Sequence, residues 1–406
     1  MASALHLRFR QAHEDDIGRL LDIQLGAFPD SRSFEARKRH LQQRIFGDFG
    51  DLYVAAHGTQ LLAQAFVYPI QGWFGRRRVS LGGIASVAVA AEARGRGVAR
   101  ALLDHVHEVS RARGDALTLL YAFRHGFYRR LGYGAVTPMT RLEVAPSAIP
   151  AAWVTASRGA FRILEREDHE TIVQIYERAA LRATGWLQRR PLAWERWMLD
   201  DRRAWFITHD QRGYVSWFLE QTEDHAATHL VVRDFVAEDD ATWRLLWGLL
   251  GAQKDQVHAI DISVAHDDPA LHALVDIDAN RFGTERVEHP LGTVYTGPMV
   301  RVHGVATALE ARGYASNGEL VVGVAAPSGQ ETYALEVREG IPRATVTDAP
   351  CDLLFSDAAI LSSVLFGAVR PSQLARAGLV TTRDGESLAR ADHLLALPAF
   401  HALDPF

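Results

Sequence analysis

The chain has 406 residues, of which 44 are Lys or Arg and 49 are Asp or Glu, so its formal net charge is −5. An apolar share of 48% and a charged share of 23% are typical of globular proteins with well-formed cores. The mild acidity argues against a dedicated nucleic-acid binder, which normally carries a strongly basic face. At roughly 150 residues per domain, the length favours two or three domains.

The sequence carries no sign of export or membrane insertion. The N-terminal stretch MASALHLRFR lacks the apolar core of a secretory signal. The apolar runs are much shorter than the ~20 residues that a membrane helix needs. Cys351 is the single cysteine, which excludes internal disulfides and Cys-based metal clusters. We therefore expect a cytoplasmic protein that has neither a nucleic acid nor a membrane as a partner.

Two segments of the chain open in the same way, which indicates a duplicated α/β domain. A strand-like stretch ends in Phe-Arg at Arg10, and an amphipathic helix follows Asp16. The same Phe-Arg pair at Arg162 and the same acidic residue at Asp168 recur at a constant offset. An acidic residue at a helix start suits the helix dipole, and apolar residues at helical spacing follow it in both copies. Chance similarity between two strand–helix entries is the alternative.

Composition predicts two boundaries and three domains. The Pro- and Ala-rich stretch 146–156 is typical of a linker, and a second boundary lies near residues 292–304. We place the domains at residues 1–146, 147–297 and 298–406. After the second boundary a helix over Val305–Tyr314 is followed first by alternating strand-like stretches and then by helical ones. The last third is therefore a strand-then-helix module, unlike the first two domains.

Residues 80–134 contain the pattern that carries chemistry. A largely buried strand over Ser80–Ala90 leads into an Arg- and Gly-rich turn, and an amphipathic helix begins at Val98. A helix N-terminus offers unpaired backbone N–H groups and a partial positive charge. A strand, a turn and a helix start in this order therefore predict an anion site.

The residues of this turn suit a pyrophosphate. Gly95 and Gly97 let the backbone approach a phosphate closely. Arg94 and Arg96 add charge-assisted hydrogen bonds. An ordinary strand–helix turn with solvated arginines is the alternative. The corresponding turn of the second repeat, residues 235–243, has no glycine and no arginine but has three adjacent acidic residues. Because these would repel a pyrophosphate, we expect the second domain to be structural or to wall a substrate pocket.

Several segments of the chain resemble known acetyltransferases. The spacing Arg-x-x-Gly-x-Ala at 94–99 is similar to the acetyl-CoA pyrophosphate loop of the GNAT superfamily. The segments SVAVA at 86–90, FYRRLGYG at 127–134 and ALEARGYA at 308–315 resemble the Eis (enhanced intracellular survival) family over nearly the whole chain. The resemblance implies an α/β (α+β) fold: a catalytic GNAT domain, a degenerate GNAT domain and a sterol-carrier-protein-like domain. It also implies acetyl-CoA as co-substrate and a homo-oligomer, which is a hexamer in this family.

The resemblance assigns roles to individual residues. The family's general-acid tyrosine falls on Tyr128, and its general base, the chain's own terminal carboxylate, falls on Phe406. A substrate-binding aspartate falls on Asp30, and a position that often carries a pocket-lining aromatic falls on Ser86. We expect Tyr133 to be a core residue with a satisfied hydroxyl. The candidate CoA contacts are Val87, Ala88, Val89, Arg94, Gly95, Arg96, Gly97, Val98 and Ala99.

The predicted reaction is direct transfer of an acetyl group from acetyl-CoA to an amine of a small, polyamine- or aminoglycoside-like substrate. A cysteine acetyl-enzyme is disfavoured because Cys351 lies in the wrong domain. Transfer to protein lysines and a non-catalytic, lipid-binding role of the last domain are the alternatives. No metal site is predicted, since His225 and His229 lack further ligands at a recognisable spacing. The segment 31–43 departs from the family where substrate choice is made, so the sequence determines the chemistry better than the substrate.

Overall fold

A computed structural model of the chain describes residues 5–28, 33–46, 50–198, 203–223, 225–278, 290–326 and 329–404. Two of the candidate site residues, Asp30 and Phe406, lie outside these ranges. Within the described ranges, no helix is both long enough and apolar enough to span a membrane.

The helices and strands form three consecutive sets. The first set is β1 (Arg8–Gln11), α1 (Ile17–Leu25), α2 (Phe34–Phe46), β2 (Asp51–His57), β3 (Gln60–Phe74), β4 (Arg77–Val89), α3 (Val98–Ala112), β5 (Leu117–Leu120), α4 (His125–Arg129) and β6 (Gly134–Ala135). The second set is β7 (Met139–Val144), α5 (Ala151–Ala156), β8 (Phe161–Ile163), α6 (His169–Ala180), α7 (Pro191–Met198), β9 (Ala204–Thr208), β10 (Gly213–Gln221), β11 (Thr228–Ala237), α8 (Asp240–Gly251), β12 (Ala259–Ala265), α9 (Ala270–Ala273) and β13 (Gly292–Tyr295). The third set is β14 (Met299–Val302), α10 (Val305–Ala311), β15 (Gly318–Ala326), β16 (Gly329–Arg338), β17 (Ile341–Val346), β18 (Leu353–Phe355), α11 (Ala358–Phe366), α12 (Pro371–Arg376), β19 (Val380–Thr382) and α13 (Gly385–Leu394).

The duplicated opening seen in the sequence is a duplicated ion pair in the structure. The two N–H arms of Arg10 donate to the carboxylate of Asp16 at 2.6 and 2.9 Å. Arg162 makes the same bidentate contact with Asp168, at 2.6 Å for both bonds. Hydrogen bonds from these arginines hold the pKa of both aspartates below the usual range. Each pair ties the first strand of its domain to the start of the first helix.

The chain crosses between the first two sheets twice. As a result, β6 and β7 follow each other in sequence but lie in different sheets, and β14 returns to the first sheet. The first sheet has the order β1-β2-β3-β4-β5-β14-β6, and the second has the order β13-β7-β12-β11-β10-β9-β8. The chain leaves the first domain through β7, which belongs to the second sheet, and returns through β14, which lies between β5 and β6. A cut in the sequence therefore does not separate the two sheets.

The stretch 146–156, which was expected to be a linker, is folded and packed in the structure. A short 3-10 turn occupies Pro146–Ala148, and Ala151–Ala156 forms α5. This helix packs against α8, where Gly248 leaves room for the backbone of Trp153. The ring of Trp153 contacts that of Trp243 edge-on at 5.5 Å. Alanine-rich sequence favours a helix once a neighbouring groove can bury one of its faces.

The third domain packs against the first sheet through α11. Its five-stranded sheet has the order β17-β16-β15-β18-β19. Every residue of α11 after Ala358 is buried, which is typical of a helix that lies between two layers. One face of α11 meets β14 and β6 of the first sheet. The preceding α10 ends at Ala311, earlier than the Val305–Tyr314 helix expected from the sequence, and the guanidinium of Arg312 is buried just beyond it.

Gly134 is the point of closest approach between the first sheet and α11. A Cβ at this position would overlap the carbonyl oxygen of Ala359 and the backbone nitrogen of Ser363. We expect Gly134→Ala to lower the free energy of unfolding by about 1–3 kcal/mol, the usual range for overpacking. Urea unfolding followed by circular dichroism measures this loss.

Gly18→Ala is the matched control, since a Cβ on Gly18 would meet no atom within 4 Å. Gly18 lies inside α1, where alanine is favoured over glycine by about 0.5–1 kcal/mol. The control should unfold at the same or a higher urea concentration than the wild type. Equal midpoints for the two variants would show that the contact between Gly134 and α11 is not tight.

Candidate active site

The parallel strands β4 and β5 separate after three residue pairs. Within the described chain, Leu81–Gly83 of β4 pair with Leu117–Leu119 of β5, and no pairing continues beyond them. The register between β3 and β4 shifts at the level of Ser86, whose φ of 53° is unusual for a residue with a side chain. Such a bulge bends its strand. The second half of β4 therefore keeps β3 on one side and faces an opening on the other.

The Arg- and Gly-rich turn closes the end of this opening. Gly95 and Gly97 have φ angles of 74° and 80°, a left-handed conformation that glycine adopts without strain. Helix α3 starts directly after Gly97, and its first turn closes with a hydrogen bond from the N–H of Ala101 to Gly97 O. The N–H groups of Val98 and Ala99 therefore point out of the helix end. A Cβ on either glycine would meet nothing within 4 Å, so the space around the turn is open.

The two arginines of the turn have different positions. Arg94 Nε donates to the carbonyl of Val89 at 3.2 Å, and Arg94 Nη2 donates to the carbonyl of Gly26 at 2.5 Å. In this structure the Arg94 side chain fastens the turn to the ends of β4 and α1 instead of extending toward a phosphate. Arg96 is exposed at the tip of the turn. Both arginines are exposed, so their contacts to a phosphate stay predictions, and Arg94 also supports the shape of the turn.

Tyr128 lies in α4 with its ring buried against three aromatic side chains. The rings of Phe123, Phe127 and Tyr133 meet it edge-on, with centroids 5.0–6.0 Å away. Tyr128 is 3% exposed and belongs to the same apolar cluster as Val98 of α3. Burial raises the pKa of Tyr128 to about 12. The phenol therefore keeps its proton through the neutral range and is available as a hydrogen-bond donor.

Tyr133 has the structural position expected for it. It is fully buried, and its hydroxyl lies 2.8 Å from His107 Nε2 and 3.0 Å from Thr118 Oγ1. These contacts join α3, β5 and the segment after α4. Burial lowers the pKa of His107 to about 2, so this imidazole is neutral. The group supports the wall of the cleft and holds no exposed donor for a ligand.

The C-terminal tail reaches the end of β5. The hydroxyl of Tyr121, the residue that follows β5, donates to the carbonyl of Asp404 at 3.5 Å. Phe406 and Asp30 both lie outside the described residues. The structure thus brings Val87, the start of α3 and Tyr128 into one apolar cluster, and the described tail ends against Tyr121. Ser86, expected at the pocket, is the bulged residue beside that region.

The second domain keeps the fold of this region but not its open helix end. The Asp239 carboxylate accepts a hydrogen bond from the N–H of Thr242 at 2.8 Å and so caps α8. That backbone hydrogen bond, together with the nearby Arg212, lowers the pKa of Asp239. A fixed carboxylate thus occupies the position that an anion would take.

Sequence reasoning missed a buried ion cluster around Arg189. It contains Asp234 of β11 and Asp404 of the tail. The adjacent charged residues Arg233 and Asp234 inside β11 were the available signal. The histidine pair that was weighed as a metal site does not share a helix: His225 lies in a turn, and His229 lies in β11. Among the described residues, His229, Asp261 and Glu143 do form a group of metal-type donors.

Comparison with known families defines the class of protein. The model of an acetyltransferase (GNAT) domain matches residues 8–136, a second model of the same description matches residues 185–302, and a sterol carrier protein domain matches residues 305–400. The fold and the site are therefore those of a tandem GNAT acetyltransferase with an appended sterol carrier domain. The α/β fold class expected from the sequence is confirmed.

Curated relatives identify the family. The N-acetyltransferase Eis of Mycobacterium tuberculosis is 30% identical over 328 residues, which cover 77% of each chain, and the protein of the same name from Mycobacterium bovis matches equally well. The chain belongs to the Eis family of N-acetyltransferases. It is accordingly an acetyltransferase, as the sequence predicted.

Solved structures share the fold over the whole chain. A GCN5-related N-acetyltransferase from Anabaena variabilis superposes with a TM-score of 0.81 at 21% identity, covering 99% of this chain and 100% of the other. Eis1 from Mycobacterium abscessus superposes with a TM-score of 0.77 at 23% identity, covering 98% and 100%. At these identities the likeness establishes the three-domain fold.

Acid sensitivity is expected from the buried His107. An unfolded imidazole ionises near pH 6.5, whereas the folded pKa is about 2. Below about pH 6.5 the unfolded chain binds a proton that the folded chain does not, so stability falls as the pH falls. Substituting His107→Gln should remove up to about 1.4 kcal/mol of this loss per pH unit. Urea midpoints at about pH 7.5, 6.5 and 5.5 measure the slope of stability against pH.

The exposed His266→Gln serves as the control. Equal slopes for the two variants would contradict the assignment of this acid sensitivity to His107.

Proposed function

We propose that the chain transfers the acetyl group of acetyl-CoA to an amine of a small, polyamine- or aminoglycoside-like substrate, in the opening between β4 and β5. The observation that carries this proposal is the open N-terminus of α3 behind Gly97, at the mouth of two strands that separate. Acetyltransferases with GNAT domains take the acetyl group from acetyl-CoA, and the open turn fits the charge and size of its pyrophosphate.

The turn and the strand supply complementary parts of the CoA site. The N–H groups at the start of α3 and the exposed Arg96 face the space where the pyrophosphate binds. The half of β4 over Val87–Val89 pairs with β3 on one side and faces the opening on the other. A backbone N–H of this strand polarises the thioester carbonyl as negative charge develops on its oxygen.

Tyr128 acts as the general acid. In the reaction a C–N bond forms as the amine attacks the thioester, and the C–S bond breaks. The phenol, which is protonated at neutral pH, donates its proton to the departing sulfur, which is desolvated in the same apolar surroundings. Solvent then restores the proton to the phenol. No covalent acetyl-enzyme is formed.

The terminal carboxylate of Phe406 acts as the base that accepts a proton from the amine. Support comes from Asp404, whose carbonyl contacts Tyr121 at the end of β5. Two residues extend a chain by at most about 7 Å, so covalent geometry keeps the carboxylate close to this position. Its negative charge also favours binding of an ammonium group. Asp30 is proposed to assist in binding the amine.

A lipid-binding role of the third domain receives less support. The core of this domain is filled by large side chains that include Phe355 and Phe366, both fully buried. A concavity on its surface is lined by charged residues, among them Glu336, Arg338 and Arg343. Charged walls do not suit an acyl chain. We therefore propose that the third domain positions the tail of the catalytic site.

Calorimetry with acetyl-CoA tests the proposed anion site. We expect one molecule bound per chain, because Asp239 caps the corresponding helix of the second domain. Gly97→Asp should weaken binding at least tenfold, since it puts a carboxylate beside the pyrophosphate. Gly97→Asn is the matched control: it has the same shape, tolerates a positive φ and carries no charge. Equal affinities of the two variants, or two sites per chain, would overturn the assignment.

Release of the CoA thiol in the presence of a panel of small amines tests the chemistry. Tyr128→Phe removes only the hydroxyl, so we expect kcat to fall 10²–10⁴-fold, the usual contribution of a general acid. The affinity for acetyl-CoA measured by calorimetry should stay within threefold. Turnover close to that of the wild type would remove Tyr128 from the mechanism. Transfer to a folded protein and to none of the small amines would favour protein lysines as the acceptor.

A further inference from the structure

The chain contains a fully buried ion cluster that joins the second domain to the C-terminal tail. The side chain of Arg189 is 2% exposed. Its Nη1 and Nη2 donate to the two carboxylate oxygens of Asp234 at 3.0 and 2.5 Å. Its Nε and Nη2 donate to the two carboxylate oxygens of Asp404 at 2.9 and 3.0 Å. One guanidinium thus holds two carboxylates, one on strand β11 and one on the tail.

Aromatic groups complete the cluster. The guanidinium carbon of Arg189 lies 4.3 Å from the ring centroid of Tyr176 and 4.6 Å from that of Trp194. The hydroxyl of Tyr214 accepts from Arg189 Nη1 at 3.3 Å, and the hydroxyl of Tyr176 lies 3.2 Å from Asp404 Oδ2. Hydrogen bonds therefore hold the edge of the planar guanidinium, and aromatic rings contact its faces. Asp404 cannot shift without breaking several contacts together.

Burying this ion cluster costs free energy, so the cluster is an inefficient source of stability. Two carboxylates and one guanidinium leave a formal charge of −1 in a buried site. Burial of such ions costs desolvation energy that apolar packing would avoid. A cluster of this kind fixes geometry better than it adds stability. The geometry that it fixes here is that of Asp404, whose carbonyl contacts Tyr121 of the catalytic domain at 3.5 Å.

The tail is held at successive positions before it reaches the cluster. The N–H of Phe400 donates to Thr137 Oγ1 at 2.8 Å, and the N–H of His401 donates to the carbonyl of Thr184 at 2.9 Å. Gly185 leaves space for the ring of Phe400, with which any Cβ would overlap. Leu403 packs against the aromatic residues around Trp194. The tail is thus placed along its length, and Asp404 is its last described residue.

We propose that Arg189 and Asp234 are positioning residues for acetyl transfer in the first domain, acting through Asp404 to place the terminal carboxylate. This inference rests on the proposed role of the Phe406 carboxylate as base. It gives the degenerate second domain a catalytic purpose: it binds no CoA and instead holds the last residues of the chain. Arg189 and Asp234 touch no substrate and are not themselves catalytic residues.

The test compares Asp404→Ala, Asp234→Asn and deletion of Phe406 in the full-length protein. Asp404→Ala should lower kcat at least tenfold in the thiol-release assay and leave the affinity for acetyl-CoA unchanged. Asp234→Asn keeps the shape of the side chain and should give a smaller loss in the same direction. Asp404→Ala combined with the deletion should be no slower than the deletion alone, because both changes act through one carboxylate.

Asp168→Ala is the matched control. Asp168 forms a bidentate pair with an arginine of the same domain and is 8% exposed, close to the 9% of Asp404. It contacts no part of the tail, so this variant should lower thermal stability and keep kcat. Equal losses of kcat in Asp168→Ala and Asp404→Ala would overturn the proposal, because stability alone would then explain both.

The outcomes separate the two hypotheses. If deletion of Phe406 leaves kcat unchanged, the terminal base is refuted, and the positioning role falls with it. If the deletion lowers kcat but Asp404→Ala does not, the terminal base stands and the positioning role is refuted. Losses that multiply in the double variant would also contradict a shared pathway.

Discussion

The arrangement of the three domains depends on the insertion of β14 between β5 and β6. This strand pairs antiparallel with Leu117–Leu120 on one side and with Gly134 and Ala135 on the other. It thereby completes the catalytic sheet with residues that follow the second domain. Helix α11 packs on the same strands, so the third domain rests on the catalytic sheet. Backbone hydrogen bonds and a buried helix thus fix the direction from which the C-terminal tail approaches the site.

The two GNAT domains share their structural ion pair and differ in their electrostatics. Arg10–Asp16 and Arg162–Asp168 fasten the first strand and helix in the same manner, because both domains need that connection to fold. The turn that precedes α3 in the first domain and α8 in the second has diverged. An open helix end behind Gly97 attracts an anion, whereas the cap at Asp239 already supplies one. A few residues at a helix start therefore give the two domains opposite electrostatics at this turn.

Chain termini are poorly ordered unless tertiary contacts hold them, so the role proposed for the terminal carboxylate requires such contacts. Here the supporting contacts come from residues far away in sequence. Thr137 lies between the two sheets, Thr184 belongs to the second domain, and Arg189 is 215 residues from Asp404. The strand exchange and the second domain therefore act together. The strand exchange orients the domains, and the second domain holds the tail between them.

The sequence by itself determined the features that depend on near neighbours: β4, the glycine turn, α3 and the repeated Arg–Asp openings. These follow from periodicity and from the φ angles that glycine permits. It did not determine that 146–156 is a packed helix, since the groove at Gly248 is formed by α8. It did not show that Arg94 also donates to the Gly26 carbonyl, which lies 68 residues away. Tertiary structure alone decided the exchange of β7 and β14 and the pairing of Arg189 with Asp234 and Asp404, because strand partners and buried ion pairs are selected by packing between distant segments and leave no local pattern.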